Sequence, residues 1–179
     1  MDLTETRVSG ERVLDGLIIK VDRDTVTLPD GNTSLREIVR HPGAAAVVPI
    51  LDSGKVVMVR QYRYSIGKAT LEIPAGKLDE GEEILTCAHR ELKEETGYSA
   101  KRMDKLMPFV SSPGFTDEVI HIYLARGLTP GQAGGDDDEF IEIESFTIDA
   151  LIEMILTGRI CDGKTVAGIL SAAEYLRRE

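Results

Sequence analysis

The sequence is short of several things, and each shortage removes a class of function. Only two cysteines occur, Cys87 and Cys161, without metal-type spacing, so neither a zinc centre nor a disulfide framework is expected. No apolar run approaches a membrane span, and the opening MDLTETRVSGERVLDG holds nothing like the apolar core of a signal peptide. There is no basic run and the net charge is −10, which argues against binding a nucleic-acid backbone. The three histidines, His41, His89 and His121, stand in unrelated contexts and read as structural or exposed. Ser111 and Ser112 therefore have no serine–histidine arrangement to join. Internal repeats and low-complexity linkers are missing too. The expectation is a cytoplasmic globular protein: 179 residues, 42% hydrophobic and 29% charged, suit one domain with a small appendage.

What is present is concentrated in Gly76–Tyr98, GKLDEGEEILTCAHRELKEETGY. Gly76, Asp79 and Gly81 break periodicity, so the stretch opens as a loop. A helix is then expected from about Glu82 to Thr96, stopped by a left-handed Gly97. At helical spacing Ile84, Leu85, Ala88 and Leu92 share one face. Glu91 and Glu95, one turn apart, project side by side at the edge of that face, with Glu94 beside them. A solvated acidic patch is the usual reading of such a pair, but it would put the carboxylates opposite the core. On a half-buried face, desolvation and mutual repulsion both disfavour two neighbouring carboxylates. A divalent cation removes that cost, and hard cations prefer carboxylate oxygen. The stretch reads as a metal site.

The rest of the chain reads as α+β, a mixed sheet with helices packed around it. Residues from about Arg12 to Arg40 form a strand-rich arm: strands over Gly16–Val21, Thr25–Leu28 and Thr33–Arg40, with a turn at Pro29-Asp30-Gly31-Asn32. His41-Pro42-Gly43 marks a boundary, which divides the chain into an arm, 1–42, and a main domain, 43–179. Ala44–Leu51 and Lys55–Arg63 are apolar enough to be covered on both faces and are expected to pair as a hairpin about Asp52-Ser53-Gly54. Leu71–Gly76, Lys105–Val110, Val119–Ala125 and the alternating Phe140–Glu144 add strands. The Gly- and Asp-rich Thr129–Asp138 is expected to be a mobile loop. Helices are expected over Ile148–Leu156, stopped by Gly158, and from about Lys164 to Arg178. The second is capped by Asp162, with Val166, Ile169, Leu170, Ala173 and Leu176 facing inward.

Carboxylates gathered around a metal, without a candidate nucleophile, point to hydrolysis by an activated water. A phosphoanhydride is a natural target, because a cation bridges phosphate oxygens and lowers the pKa of water. An acidic protein with an anionic substrate needs that metal and a few well-placed arginines.

Gly76, five residues, Glu82, seven residues and then Arg90-Glu91-Leu92-Lys93-Glu94-Glu95-Thr96-Gly97 closely resembles the signature of the Nudix hydrolases, with Tyr98 where that family usually carries an aliphatic residue. The resemblance implies a Nudix-type mixed sheet sandwiched by helices. It also implies hydrolysis of nucleoside diphosphates linked to another moiety, with Mg²⁺ or Mn²⁺. Carried over by position, Glu91 and Glu95 are the principal metal ligands, Glu94 is a helper, and the backbone carbonyl of Ala75 is a further ligand. Arg90 orients these glutamates by ion pairing, and Glu82 is a structural or outer partner. The bland alternative for Arg90 is a surface ion pair worth only a few tenths of a kcal/mol.

Outside that signature, REIVRHPGA (Arg36–Ala44), RQYR (Arg60–Arg63), LEIPAGKLD (Leu71–Asp79) and SSPGFTDE, with Pro113, resemble the ADP-ribose pyrophosphatase branch. This implies ADP-ribose as substrate, AMP and ribose 5-phosphate as products, and a homodimer whose N-terminal arm swaps across to complete each site. The general base of that branch is a glutamate on the mobile loop before the later strand. Glu139 occupies this place, with Glu142 and Asp138 as rivals. Arg63 is implied to contact the diphosphate; Arg36 and Asp79 the nucleotide and ribose; Ser112, Gly114 and Glu118 the terminal ribose, Glu118 near the metals. Some members sandwich adenine between tryptophans. This chain has none, leaving Arg36 or Tyr62 to stack on the base. The alternatives are a GDP-mannose or other nucleotide-sugar pyrophosphatase and a non-catalytic ADP-ribose sensor. The intact glutamates and the lack of a basic domain speak against the sensor.

Overall fold

A computed structural model describes residues 2–135 and 140–179. The chain divides into two compact units: Met1–Gly43 with Val110–Glu118, and Ala44–Phe109 with Val119–Glu179.

The first unit is an antiparallel sheet in the order β1 (Thr6–Asp15), β2 (Lys20–Thr27), β3 (Thr33–Arg40). Its strand bounds differ from the sequence reading. Gly16–Ile19 is the turn between β1 and β2, closed by the Gly16 amide donating to the Ile19 carbonyl at 3.0 Å, and Lys20–Thr27 is one strand. The sequence hides β1 because every one of its residues is exposed, so no face carries an apolar alternation. The expected turn at Pro29–Asn32 is present, with Gly31 at φ 85° and its amide on the Leu28 carbonyl at 2.9 Å. Val26 is the buried apolar side chain of this sheet, while Leu17, Ile18 and Leu35 lie exposed. Polar contacts do much of the holding: buried Asp24 takes Arg7 and Arg40, and Arg40 also reaches Asp22 and Asp117. The segment Val110–Glu118 is bound to β3, the Val39 amide donating to the Phe115 carbonyl at 2.7 Å and the Thr116 hydroxyl to the Val39 carbonyl at 2.9 Å.

The second unit contains β4 (Ala44–Pro49), β5 (Lys55–Arg63), β6 (Lys68–Glu72), β7 (Ala75–Lys77), α1 (Ile84–Thr96), β8 (Tyr98–Val110), β9 (Val119–Pro130), β10 (Glu142–Thr147), α2 (Ile148–Leu156) and α3 (Gly163–Arg177). Two sheets form here, where the sequence suggested one: a mixed β7-β4-β9-β8 and an antiparallel β10-β5-β6. The expected hairpin of β4 and β5 is not a ladder. The turn at Asp52–Gly54 closes, but the strands meet only at an Ile50–Val56 bridge and then part into different sheets. β4 pairs instead in parallel with β9, Ala44 opposite Ile120 through Pro49 opposite Ala125.

Every residue of β4 is buried, which explains its unbroken apolar run. Ala44, Ala46 and Val48 face a core shared with Met58, Ile73, Leu151, Ile169 and Ala172, whereas Ala45 and Val47 face Cys87, Ala88 and Leu92 of α1. Each large apolar side chain fully buried in this way contributes roughly 2 kcal/mol. Two wheel assignments fail at the margins. Leu85 of α1 and Leu170 of α3 are exposed, their inward places taken by Cys87 and by Gly168 and Ala172. Gly97 at φ 74° ends α1, and Asp162 caps α3 by accepting from the Thr165 amide. Thr129 and Pro130 finish β9 and do not belong to a loop. The chain beyond packs on the end of α1, where the Gly134 amide donates to the Glu94 carbonyl at 3.1 Å. Among the described residues no helix is long and apolar enough to cross a membrane.

Candidate active site

The loop from β7 to α1 and the inner face of α1 gather the acidic residues. α1 begins at Ile84 and rests Ala88 and Leu92 on β4, so Glu91 and Glu95 point along β7. Glu95 is only 5% exposed, and its carboxylate accepts the Ala75 amide at 3.1 Å. Glu91 lies over Gly76: a Cβ there would stand 1.9 Å from Glu91 Oε1. The glycine thus has a steric reason, since only a residue without a side chain lets the strand backbone meet that carboxylate.

Arg90 organises the outer half. Its guanidinium grips Glu82 as a fork, Nε to Oε1 at 2.9 Å and Nη2 to Oε2 at 2.8 Å. Nη1 donates to Glu91 at 2.7 Å and to Glu94 at 2.9 Å, and Nη2 to the Lys77 carbonyl at 3.2 Å. This is more than the surface pair weighed from sequence, because one cation satisfies three carboxylates and a carbonyl at once. Its hydrogen bonds pull the Glu82 carboxyl down to about 2, so Glu82 stays ionised, and the Asp79 amide completes its set at 3.1 Å. Asp79 itself is exposed at the mouth of the loop. Burial pushes the Cys87 thiol up to about 12, which leaves it inert.

The donor set fits a hard divalent cation. Oxygen donors are crowded against backbone at Gly76 and Ala75, with Arg90 offsetting part of their repulsion. Among the described residues no three acidic, histidine or cysteine side chains form an ion cage by themselves.

Arg63, at the end of β5, is half exposed and held by a fork from Glu72, Nε to Oε1 at 2.8 Å and Nη2 to Oε2 at 2.6 Å. Hydrogen bonding to Glu72 pushes its guanidinium pKa up, and the negative charge of Glu95 adds to that. The sequence reading missed Glu72. The available signal was a carboxylate inside the apolar LEIPAG, since such a residue is almost never buried unless paired. An open groove of about 520 Å³ adjoins this strand; among the described residues it is lined by Arg60, Tyr62, Ala69, Phe140 and Glu142, and not by the signature residues Gly76–Gly97. Tyr62 stands on its wall, 62% exposed.

Arg36, Ser112, Gly114 and Glu118 belong to the first unit. Arg36 is occupied within its own unit, donating to Glu5 at 2.9 Å and to the Leu35 carbonyl at 2.9 Å. The Ser112 carbonyl accepts the amides of Phe115 and Thr116, both at 3.1 Å, and so shapes the turn containing the exposed Gly114. Glu118 lies 3.5 Å from His41 Nε2. Glu139 and its rival Asp138 lie outside the described residues. Glu142, the other rival, opens β10 opposite Arg60.

Known proteins resemble this chain in sequence and in fold. The NUDIX domain family matches residues 40–167. The methanol dehydrogenase activator of Bacillus methanolicus is 47% identical over 97% of this chain and 92% of its own. The ADP-ribose pyrophosphatase of Bacillus subtilis (strain 168) is 41% identical over 93% of this chain and 91% of its own. A crystal structure described as ADP compounds hydrolase superimposes with a TM-score of 0.89 over 99% of this chain and 97% of that one, at 23% identity, a likeness of fold.

Proposed function

The chain belongs to the Nudix hydrolase family, and from that premise we propose that it cleaves the diphosphate of ADP-ribose with water, giving AMP and ribose 5-phosphate. The observation that carries this reading is the pair Glu91 and Glu95, packed on the backbone of Gly76 and Ala75 and braced by Arg90. The 41% identity to an ADP-ribose pyrophosphatase along nearly the whole chain supports the choice of substrate.

Glu91 and Glu95, helped by Glu94 and the Ala75 carbonyl, would hold Mg²⁺, with Mn²⁺ as substitute. When bound, a divalent cation supplies positive charge against the phosphate oxygens and acidifies water. Arg90 aims Glu91 and Glu94 and offsets part of the repulsion among the carboxylates. Arg63 binds the diphosphate through the N–H groups that Glu72 leaves free, because a guanidinium matches phosphate oxygens in a forked geometry. Glu139 takes the proton from the attacking water, a task that needs no raised pKa. Ser112, Gly114 and Glu118 receive the terminal ribose, and Asp79 and Arg36 the nucleotide side. Tyr62 is the better candidate to stack on the base, since Arg36 is engaged by Glu5 while Tyr62 is free to meet a ring.

The arm, 1–42, completes a partner's site in a homodimer. A three-stranded sheet with a wholly exposed β1 and exposed Leu17, Ile18 and Leu35 has too little core to stand by itself, and a second copy supplies the missing cover. Two free cysteines and a charge of −10 fit a reducing cytoplasm and a small-molecule substrate, with neither nucleic acid nor membrane as partner.

The test is a hydrolysis panel with Mg²⁺: ADP-ribose, ADP-glucose, GDP-mannose, NADH and diadenosine polyphosphates, with an EDTA control. Fastest release of AMP from ADP-ribose, abolished by EDTA, is expected. A preference for GDP-mannose overturns the substrate, and binding without turnover favours a sensor. The 47% identity to a methanol dehydrogenase activator favours a second reading, in which the chain stimulates an alcohol dehydrogenase. Assaying such a dehydrogenase with the active protein and with its Glu95→Gln variant separates the two.

A further inference from the structure

Beneath Arg63 lies a carboxylate that the hydrolytic chemistry leaves without a task. Glu72, its side chain 2% exposed, accepts both prongs of Arg63, the Thr70 hydroxyl and the Lys164 ammonium. Lys164, also nearly buried, donates again to Asp162 Oδ2 at 2.9 Å. Asp162 accepts the Thr165 amide at 3.0 Å and hydroxyl at 2.6 Å, and the Thr165 oxygen takes the Ile73 amide at 3.0 Å. A relay of alternating charge thus runs from Arg63 through β6 to the first turn of α3.

Stability alone is a poor explanation for building this link from charges. Buried ion pairs lose in desolvation much of what they gain in attraction, and apolar side chains of similar volume hold two elements together equally well. Conformational fixity is the better one. An arginine at a strand end samples many rotamers, and here Nε and one edge of Nη2 are spent on a rigid, buried acceptor. The outer N–H groups are left on a guanidinium that is 41% exposed and feels the charge of Glu95. A preset donor gives up less freedom when an anion arrives.

We infer that Glu72 is a positioning residue, anchored by Lys164, that presets Arg63 to grip the diphosphate of the substrate. The inference rests on the proposed substrate being a nucleoside diphosphate. The positioning acts on ground state and transition state alike, so it governs KM more than kcat.

Four proteins test it: wild type, Glu72→Gln, Arg63→Ala and the double variant, each assayed on ADP-ribose with saturating Mg²⁺. Glu72→Gln raises KM on the order of tenfold with kcat nearly kept. On the Arg63→Ala background the same change adds less than about twofold, because residues acting through one another are not additive. An unchanged KM with only a lowered melting temperature overturns the inference, as does a full multiplied penalty in the double variant. Should Glu72→Gln not fold, Lys164→Met keeps the side-chain volume and leaves the Arg63–Glu72 fork with one anchor fewer. It then raises KM about threefold, and an unaltered KM overturns the inference. If wild type leaves ADP-ribose intact, the substrate reading has failed instead. Calorimetric binding of inorganic pyrophosphate to the same proteins then decides on Glu72: weaker binding in Glu72→Gln, absent on the Arg63→Ala background, upholds it, and equal binding overturns it.

Discussion

Adding a single carbon at position 76 separates chemistry from folding more sharply than removing any of the glutamates. In Gly76→Ala the new Cβ falls 1.9 Å from Glu91 Oε1 and 2.0 Å from its Cδ. Contacts of that kind do not occur below 3.0 Å, so the carboxylate must retreat by about 1 Å. The backbone has no quarrel with alanine, because Gly76 is not among the positive-φ glycines. The group displaced is the end of a flexible side chain, so overpacking costs about 1 kcal/mol and shifts Tm by a few degrees. A misplacement of about 1 Å in a positioning group costs on the order of 10²-fold in rate. The assay is kcat/KM on ADP-ribose across a Mg²⁺ titration, with a melting curve on the same preparation. Loss of activity and a higher metal requirement in a folded protein are expected. A variant within threefold of wild type at ordinary Mg²⁺ would refute the claim that Glu91 works where Gly76 lets it lie.

Three further outcomes follow from the same arrangement. Glu139→Gln lowers kcat by roughly 10²- to 10⁴-fold with KM little changed; a harmless change passes the general-base role to Glu142 or Asp138. Removing the residues before His41 gives a monomer with little activity by light scattering and assay, and an active monomer sinks the swapped arm. Burial raises the Glu72 carboxyl, but Arg63, Lys164 and Thr70 outweigh it and hold the group at about 2 against an ordinary 4.5. A carboxyl depressed in the folded state stabilises above its unfolded pKa, so the contribution, about 3 kcal/mol, is complete above pH 4.5 and lost as pH falls towards 2. Urea unfolding at pH 7 and pH 3 shows the loss in wild type and a flatter dependence in Glu72→Gln; equal slopes contradict it.

Much of this was legible before any coordinates, and what was legible had a local cause. The span of α1 follows from the periodicity of Ala88 and Leu92 and from Gly97, all within one stretch of chain. α2 and α3 likewise declare themselves through Gly158, Asp162 and their apolar spacing. The paired glutamates were readable because a wheel shows which carboxylates sit against a core. Partners chosen over long separations were not. An all-apolar β4 cannot say that it will pair with β9, residues 119–130, in preference to its neighbour β5. Glu72 and Lys164 are 92 residues apart in sequence, and no spacing rule joins them. Gly76 looked like a loop breaker, whereas its use is the space it leaves for Glu91. β1 went unseen because alternation marks a strand only when one face is buried.

The most direct measurement compares wild type and Glu95→Gln on ADP-ribose at saturating Mg²⁺, with AMP and ribose 5-phosphate resolved by chromatography. Glu95 lies buried against the Ala75 amide, so the neutral amide replaces the charge with almost no change of shape. The account predicts both products from wild type and a loss of at least about 10²-fold in the variant at an unchanged melting temperature. Near-normal turnover by Glu95→Gln would contradict it, because the acidic pair on α1 would then not be where the diphosphate is cut.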